Sequence, residues 1–379
     1  MNVRILTVAL SFLMGIVPLS GGSNIYGQEE AHEEHSGGHQ IEASHEEEYD
    51  ATAYILEHVS DSHEWHILTN KHGHHVSVPL PVILYSRHSG FHIFSSKKLA
   101  HEHSHKGFQM GHGTIEVVNK KGKTVEKVLD NKIIELDEHG ALVEAGLPLD
   151  FSITKNVFMM FLSMVLLLSI FLSLARSYKK AGISAPKGLQ GFMEPLIEFI
   201  EKDVAIPNIG EEKYERFMPY LLTVFFFILV NNLMGLIPFF PFGANVTGNI
   251  ALTMVLALFT FFITQFSSNK YHWQHVFATP GVPKLLLIIM IPVELIGLFT
   301  KPFALMVRLF ANITAGHIII LSLISMIFIF KSVFVAVPAG FMVLFMDFIE
   351  LLVAFLQAYI FTLLSALFIG MAMPEHHHD

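Results

Sequence analysis

Long apolar runs fill the second half of the chain and predict membrane-spanning helices. The first covers residues 157–175 and is closed by Arg176, Lys179 and Lys180. A bilayer core of about 30 Å needs about 20 apolar residues in a helix. Because Lys and Arg favour the cytoplasmic side, the run predicts a span that ends in the cytoplasm. Two further runs, 218–238 and 249–266, predict a second and a third span.

The last two apolar stretches are too long for simple spans. At about 1.5 Å per residue, residues 285–330 would form a helix of about 69 Å and residues 333–373 one of about 61 Å. Each stretch either folds into two short spans or contributes one long tilted helix to a hairpin, and hydropathy does not decide between these. Counted once each, they bring the spans to five, with the amino end outside and the carboxyl end inside. Residues 188–217 predict an amphipathic helix on the cytoplasmic surface.

The first part of the chain follows a different pattern. Arg4 precedes an apolar run that ends near Leu19, which predicts a signal peptide over residues 1–27, with a retained anchor as the alternative. Residues 28–63 are rich in His and Glu and predict a disordered segment. Short alternating stretches over residues 64–150 predict a small β-rich exported domain, with a hairpin turn at Lys121 and Gly122.

Composition supports a membrane protein. The chain has 379 residues, of which 52% are hydrophobic and only 15% charged, against about 25% charged in soluble proteins. The absence of Cys excludes disulfides and thiolate chemistry. The net charge of −9 makes nucleic acid an improbable partner. The fold class predicted is therefore an all-α polytopic membrane protein with a small β-rich exported amino-terminal extension.

Polar residues inside the two long stretches are the candidates for function, because charges at mid-membrane cost about 2.5–3.5 kcal/mol each and tend to mark ion pathways. At about 100° per residue, one helix face carries four of them, Glu294, Lys301, Arg308 and Asn312. His317, nine residues after Arg308, points away from that face, toward the partner helix. The candidates on the first stretch are Glu294, Lys301, Arg308, Asn312 and His317, and those on the second are Asp347, Glu350 and Gln357.

The residue types suit different tasks. Arg308 stays protonated and cannot relay protons, but its charge can keep a passing carboxylate ionised. His317 and Glu350 can both exchange protons. Each has a structural alternative: Arg308 pairing with Glu350, a packed core His317, and interhelical hydrogen bonds for Asn312 and Gln357.

The segment ELIGLFTKPFALMVRLFANITAGH, from Glu294 to His317, resembles the a subunit of F-type ATP synthases and contains the family's Arg-Leu-Phe-x-Asn-x-x-Ala-Gly core at Arg308–Gly316. NNLMGLIP at residues 231–238 and LLVAFLQAYIFTLLSALFIGMAM at residues 351–373 agree with it. The resemblance covers about residues 151–373, followed by a short cytoplasmic tail at residues 374–379.

The resemblance implies a hairpin of two long tilted helices against the ring of c subunits, in a bacterial inner membrane. The matching Arg308 would face the ring and separate two offset half-channels, so that proton flow drives ring rotation and ATP synthesis. Other partners would be the b subunits of the peripheral stalk and the remaining subunits. The resemblance places Glu294 and Lys301 toward the cytoplasmic half-channel. It places His317, Asp347 and Glu350 toward the periplasmic one, with Gln357 near Arg308.

One departure concerns the two proton-exchanging residues. Some family members carry Glu at the position of His317 and His at that of Glu350, which makes sense if the two side chains touch across the hairpin. The chain has no phosphate loop or nucleotide site, so we expect no catalysis, cofactor or resident metal in it. The rival hypothesis is a divalent-metal transporter, suggested by HGHH at residues 72–75 and HEHSH at residues 101–105.

Overall fold

The structure is a computed structural model of the chain. The predicted signal peptide, residues 28–50 of the predicted disordered segment and the tail at residues 374–379 lie outside the residues that it describes. The described residues are 51–69, 75–99, 104–111, 114–118, 124–128, 132–136, 147–181, 187–237, 241–277 and 283–373.

Nine α-helices lie in the described residues, and five of them are long and apolar enough to cross a membrane, as the sequence predicted. The helices are α1 (Ala51–Val59), α2 (Lys155–Ala181), α3 (Leu189–Phe199), α4 (Ile206–Ile209), α5 (Tyr214–Leu236), α6 (Ile250–Ser267), α7 (Lys270–Phe277), α8 (Lys284–Phe330) and α9 (Val333–Met371). The five spans are α2, α5, α6, α8 and α9.

The two long apolar stretches each form one continuous helix, so the alternative of four short spans is wrong. Helix α8 has 47 residues and α9 has 39, which corresponds to about 70 Å and about 58 Å of helix. Lys331 adopts a left-handed conformation with φ 45° at the junction and turns the chain back. The pair is the hairpin that the family resemblance favours.

Helix α5 occupies the centre of the membrane part. Most of its side chains are buried, including Leu221, Phe225 and Ile228. Helix α9 packs on both α5 and α8, while α8 also packs on α6. Most of the side chains along α8 are exposed or half-buried, which leaves this helix with the least covered surface of the five spans.

The predicted amphipathic helix at residues 188–217 is interrupted. Helix α3 continues through a π-helical turn, Ile200–Ala205, into the short α4, and the chain then turns at Gly210 before α5. Ile200, Val204 and Ala205 are fully buried in the main core. The segment is therefore not the single helix that was predicted, and one side of it packs against α5 and α9. Its place on the cytoplasmic surface stays a prediction.

The amino-terminal extension contains short strands, as predicted. The strands are β1 (Glu64–Thr69), β2 (His75–Pro79), β3 (Pro81–Ser86), β4 (Gly90–Ser95), β5 (Phe108–Met110), β6 (Thr114–Val118), β7 (Thr124–Val128), β8 (Ile133–Glu135) and β9 (Leu149–Asp150). Strand β3 pairs with β4 and β9 in one antiparallel sheet, and β6 pairs with β7 on either side of the predicted hairpin turn.

The prediction of disorder over residues 28–63 is wrong for its last part, because residues 51–59 form α1. The segment ATAYILEHV carries several apolar side chains, and α1 packs against α8. Short helices are marginal alone and gain stability from packing. Local composition therefore misses α1, since its partner lies far along the chain.

A cluster of buried and half-buried polar groups joins the extension to α2. Asp61 accepts hydrogen bonds from Thr154 Oγ1 at 2.8 Å and from the Asn156 amide at 3.2 Å, at the start of the helix. His63 Nε2 lies 2.6 Å from Asp150 Oδ2. Nearby, Trp65 packs edge-on against Phe158 of α2, with ring centroids 5.8 Å apart. The extension and the first span thus share one packed junction.

The two acids of this junction have opposite pKa shifts. Burial raises the pKa of Asp61 above its usual value, although the hydrogen bonds from Thr154 and Asn156 act against this. Burial also acts to raise the pKa of Asp150, but hydrogen bonds from His63 and Ser152 and the charge of His63 outweigh it, so the pKa of Asp150 is lowered. A lowered carboxyl pKa stabilises the fold above its unfolded value of about 3.9 and ceases to do so as pH falls through the folded value.

Asp150→Asn is therefore expected to lower the melting temperature of the purified full chain at pH 7. Hydrogen bonds to a charged group contribute about 1.5–3 kcal/mol each. The difference from wild type should shrink as pH falls below about 4. Scanning calorimetry or nanoscale fluorimetry across pH measures it. Asp61→Asn is the matched control and should cost less at pH 7, because burial already disfavours the charged form there. An equal loss in both variants at every pH would contradict this account.

Candidate functional site

A buried pair of proton-exchanging side chains joins the two long helices. His317 Nδ1 of α8 lies 2.5 Å from Glu350 Oε1 of α9. The side chains are 17% and 5% exposed, respectively. The contact between His317 and Glu350 across the hairpin is the one that the sequence predicted. The alternative pairing of Arg308 with Glu350 is not formed.

Glycine at position 316 makes this approach possible. A Cβ atom there would lie 2.9 Å from Glu350 Oε1 and 3.1 Å from its carboxyl carbon. Contacts below 3.0 Å are essentially never made by a real Cβ, so a larger residue there would force the Glu350 carboxyl group to move from its present position. The second carboxylate oxygen, Oε2, is buried and accepts no hydrogen bond from the described part of the protein. A proton bound to Oε2 would therefore form no hydrogen bond with the described residues.

A group of buried polar residues stands behind His317, at the end of α5 and in the loop that follows. A Cβ atom at Gly235 would lie 3.9 Å from His317 Nε2, which brings the imidazole close to α5. Thr247 Oγ1 donates to Asn232 Oδ1 at 2.6 Å, and Asn232 Nδ2 donates to the Ala354 carbonyl of α9 at 3.3 Å. The group consists of Asn231, Asn232, Asn245 and Thr247.

Sequence reasoning did not assign these four residues to the site. The sequence singles out residues 231–238 only as a motif of the family resemblance. Two adjacent Asn residues near the end of an apolar span are nevertheless a usable signal, because an amide in hydrocarbon needs a partner. The group extends the polar region from His317 toward the loop between α5 and α6.

Arg308 and Asn312 lie one turn apart on an exposed face of α8. Neither forms an ion pair or side-chain hydrogen bond with any residue that the structure describes. The same exposed face carries small residues, Ala304, Ala311 and Ala315. Small side chains let another helix approach closely. The arrangement is therefore a cation on an open, shallow helix surface.

The remaining candidates are spread along the hairpin. Lys301 Nζ lies 5.8 Å above the Phe368 ring, beside a small cavity that is also lined by His272 and Gln265. Glu294 is half-buried two turns earlier on α8. Thus Glu294 and Lys301 have different surroundings from Arg308, although one continuous helix carries all of them.

On α9, Asp347 is exposed and precedes Glu350 by one turn, while Gln357 is buried. No hydrogen bond joins Gln357 to Arg308 in the described residues. Farther along, a second buried polar chain links three helices through Tyr220 Oη, Thr260 Oγ1 and Ser365 Oγ, at 2.7 and 3.1 Å. This series of hydrogen-bonded hydroxyl groups was not predicted, because each of them alone looks like an isolated hydroxyl in an apolar run.

Comparison with known proteins divides the chain in the same way as the structure. The model of a family described as ATP synthase A chain matches residues 157–370. Residues 54–150 match a family described as a domain of unknown function, DUF8433.

Several similar proteins are named ATP synthase subunit a or subunit a 2. The chain is 49% identical over 267 residues to ATP synthase subunit a of Chloroherpeton thalassium, and the matched region covers 68% of this chain and 79% of the relative. It is 52% identical over 266 residues to ATP synthase subunit a 2 of Chlorobaculum tepidum, covering 66% and 73%. It is 50% identical over 266 residues to ATP synthase subunit a 2 of Prosthecochloris aestuarii, covering 66% and 79%.

Proposed function

The chain belongs to the a-subunit family of F-type ATP synthases, and from this premise we propose that it supplies two offset proton half-channels and the arginine that separates them. Membership makes it a multi-pass membrane component of the F1Fo complex with a role in proton translocation. The observation that carries the finer proposal is the buried His317–Glu350 pair. It lies about 2.5 turns along α8 from Arg308, which is exposed and forms no ion pair with the described residues.

The exposed face of α8 is proposed to meet the ring of c subunits. Arg308 remains charged at any physiological pH, so it attracts a carboxylate and lowers that group's proton affinity. A ring carboxylate that reached Arg308 would therefore release its proton. The alanines around Arg308 and Asn312 leave room for a ring helix to approach at short range.

The outer half-channel is proposed to end at the His317–Glu350 pair. A proton entering near the loop of Asn245 and Thr247 would meet hydrogen-bonding side chains up to the imidazole. His317 and Glu350 then exchange it, since an imidazole and a carboxyl group in contact can each accept and donate a proton. Asp347, exposed one turn away on α9, extends the acidic side of this route.

The inner half-channel is proposed to involve Glu294 and Lys301, with Gln357 between the two routes. Residues 294 and 317 are separated by about 35 Å of helix at about 1.5 Å per residue, and Arg308 lies between them. No proton can pass from one side to the other along α8 without crossing that positive charge. Passage therefore requires a carrier that moves around Arg308, and a rotating ring is such a carrier.

The proposed setting is a bacterial inner membrane, with the extension in the periplasm and the carboxyl end in the cytoplasm. The cations Arg176 and Lys179 at the end of α2 support this orientation through the positive-inside rule. We propose residues 151–373 as the membrane domain and residues 64–150 as a periplasmic domain. The b subunits of the peripheral stalk are proposed partners, and ATP chemistry is assigned to other subunits.

The metal-transporter alternative gains no support. Among the described residues, no group of three His, Cys, Asp or Glu side chains could hold a metal ion. The HGHH and HEHSH segments fall largely outside those residues.

Disulfide cross-linking tests the ring-facing surface directly, because the chain has no native Cys. Asn312→Cys in the assembled complex, paired with a cysteine placed beside the ring carboxylate, is expected to cross-link to the c subunit under mild oxidation. Val165→Cys, exposed on α2, is the matched control and should not cross-link. A product from Val165→Cys but none from Asn312→Cys would overturn the assignment of this face.

A further inference from the structure

One face of the sheet formed by β3, β4 and β9 is apolar and exposed. Its opposite face is buried on a small core of Val82, Leu84 and Phe94. The exposed residues, which we call the apolar sheet face, are Tyr85, Phe91, Ile93, Leu149 and Phe151. Phe91 is 62% exposed, Ile93 59% and Leu149 53%.

Strand register makes these side chains neighbours. Tyr85 is paired with Phe91 on one side and with Leu149 on the other. Paired residues of antiparallel strands project on the same side of a sheet. The described residues on this side of the three strands include no charged side chain. A continuous exposed apolar patch of this kind marks an interaction surface.

The sheet is fixed to the first membrane span without a linker. Beyond β9, the amides of Phe151 and Ile153 donate to the carbonyls of Ile83 and Pro81, at 2.8 and 3.0 Å. Helix α2 then begins at Lys155. An extended chain rises about 3.3 Å per residue, so Leu149 lies within about 20 Å of the start of α2. The apolar sheet face is therefore held close to the point at which the first span begins.

Basic residues flank this face at both ends of the β3–β4 hairpin. Arg87 lies in the connecting turn, and Lys97 and Lys98 follow β4, all of them exposed. An apolar surface bordered by Lys and Arg is the combination that binds anionic lipid surfaces. Aromatic side chains such as Tyr85 are also favoured at the membrane–water interface.

We propose that the apolar sheet face lies on the outer leaflet of the bilayer in which α2 is embedded, with Arg87, Lys97 and Lys98 against anionic headgroups. The extension then touches the membrane at two places, through α2 and through the sheet. This proposal does not depend on the proton route, since it concerns residues 81–98 and 149–151 only.

Spin-label accessibility tests the proposal on the full chain in nanodiscs that contain phosphatidylglycerol, with one chain per disc. Single variants Phe91→Cys and Ile93→Cys carry the label, and Ser104→Cys, exposed outside the sheet, is the control. At positions 91 and 93, collisions with oxygen should exceed those with a water-soluble nickel chelate several-fold, as in lipid. Position 104 should show the reverse.

Two outcomes overturn the proposal. Labels at 91 and 93 that collide with the nickel chelate as freely as the label at 104 would place the face in water. Labels shielded from both reagents would indicate that protein covers it. The triple variant Arg87→Gln, Lys97→Gln, Lys98→Gln should lower the oxygen-to-nickel ratio in phosphatidylglycerol discs but leave it unchanged in phosphatidylcholine discs. An equal ratio in both lipids for wild type and variant would remove the headgroup contact from the proposal.

Discussion

Arg308→Ala is expected to abolish ATP-driven proton uptake into vesicles that carry the whole complex, while the complex still assembles. The side chain is exposed and makes no ion pair or hydrogen bond with the described residues, so its removal leaves no buried group unpaired. In the proposed mechanism, a ring carboxylate that passes α8 would no longer be driven to release its proton once this fixed charge is removed. Coupled transport should fall to the background of vesicles without the complex.

Arg216→Ala is the matched control for this experiment. Arg216 is also exposed, at the start of α5, and lies near the Phe217 ring. The same chemical change there should leave proton uptake close to wild type. Uptake near the wild-type rate in Arg308→Ala, with a normal amount of assembled complex, would show that the proposed gate is wrong.

The second large effect is expected for the buried pair. Glu350→Gln removes the proton-exchanging carboxyl group beside His317 and should reduce proton uptake by at least about 10-fold, since a positioned acid or base contributes about 10²–10⁴ to a proton-transfer rate. His317→Gln should have a similar effect. The exchanged variant His317→Glu with Glu350→His keeps one imidazole and one carboxylate in contact, and it should recover a substantial part of the loss.

The exchange separates a relay from a structural contact. If only packing mattered, Glu350→Gln would be nearly as active as wild type, because its amide can still accept a hydrogen bond from His317. If the exchanged variant were no better than either single variant, the order of the two groups along the route, and not only their presence, would be essential. The pH dependence of uptake in the exchanged variant gives a further readout that packing alone would not change.

Much of the membrane architecture could be predicted because it depends on properties of contiguous sequence. A run of apolar residues closed by cations, as at Arg176, specifies a span through hydrophobicity and charge alone. The contact of His317 with Glu350 was also predictable, but only with the help of the family resemblance. The helical spacing of about 100° per residue predicted that His317 points toward the partner helix, but it did not identify the residue of α9 that His317 contacts.

The missed features have a common cause. Helix α1 and the chain of Tyr220, Thr260 and Ser365 depend on contacts between residues far apart in the sequence, and neither leaves a periodic pattern. The π-helical turn after α3 is likewise set by the way Ile200 and Val204 pack into the core. Tertiary packing decides such elements, and a single sequence carries no direct record of it.

The contact between α1 and α8 has a mechanical consequence. Successive spans reverse direction, so the end of α8 and the start of α2 lie on the same side, and α1 reaches that side because Lys155 Nζ donates to the His58 carbonyl. Helix α8 is otherwise the least covered span. A helix whose surface is mostly uncovered bends more easily under a sideways load, and an additional contact from another element stiffens it. Helix α1 makes such a contact, so the extension is expected to limit how far α8 bends under force from the ring that we propose lies against it.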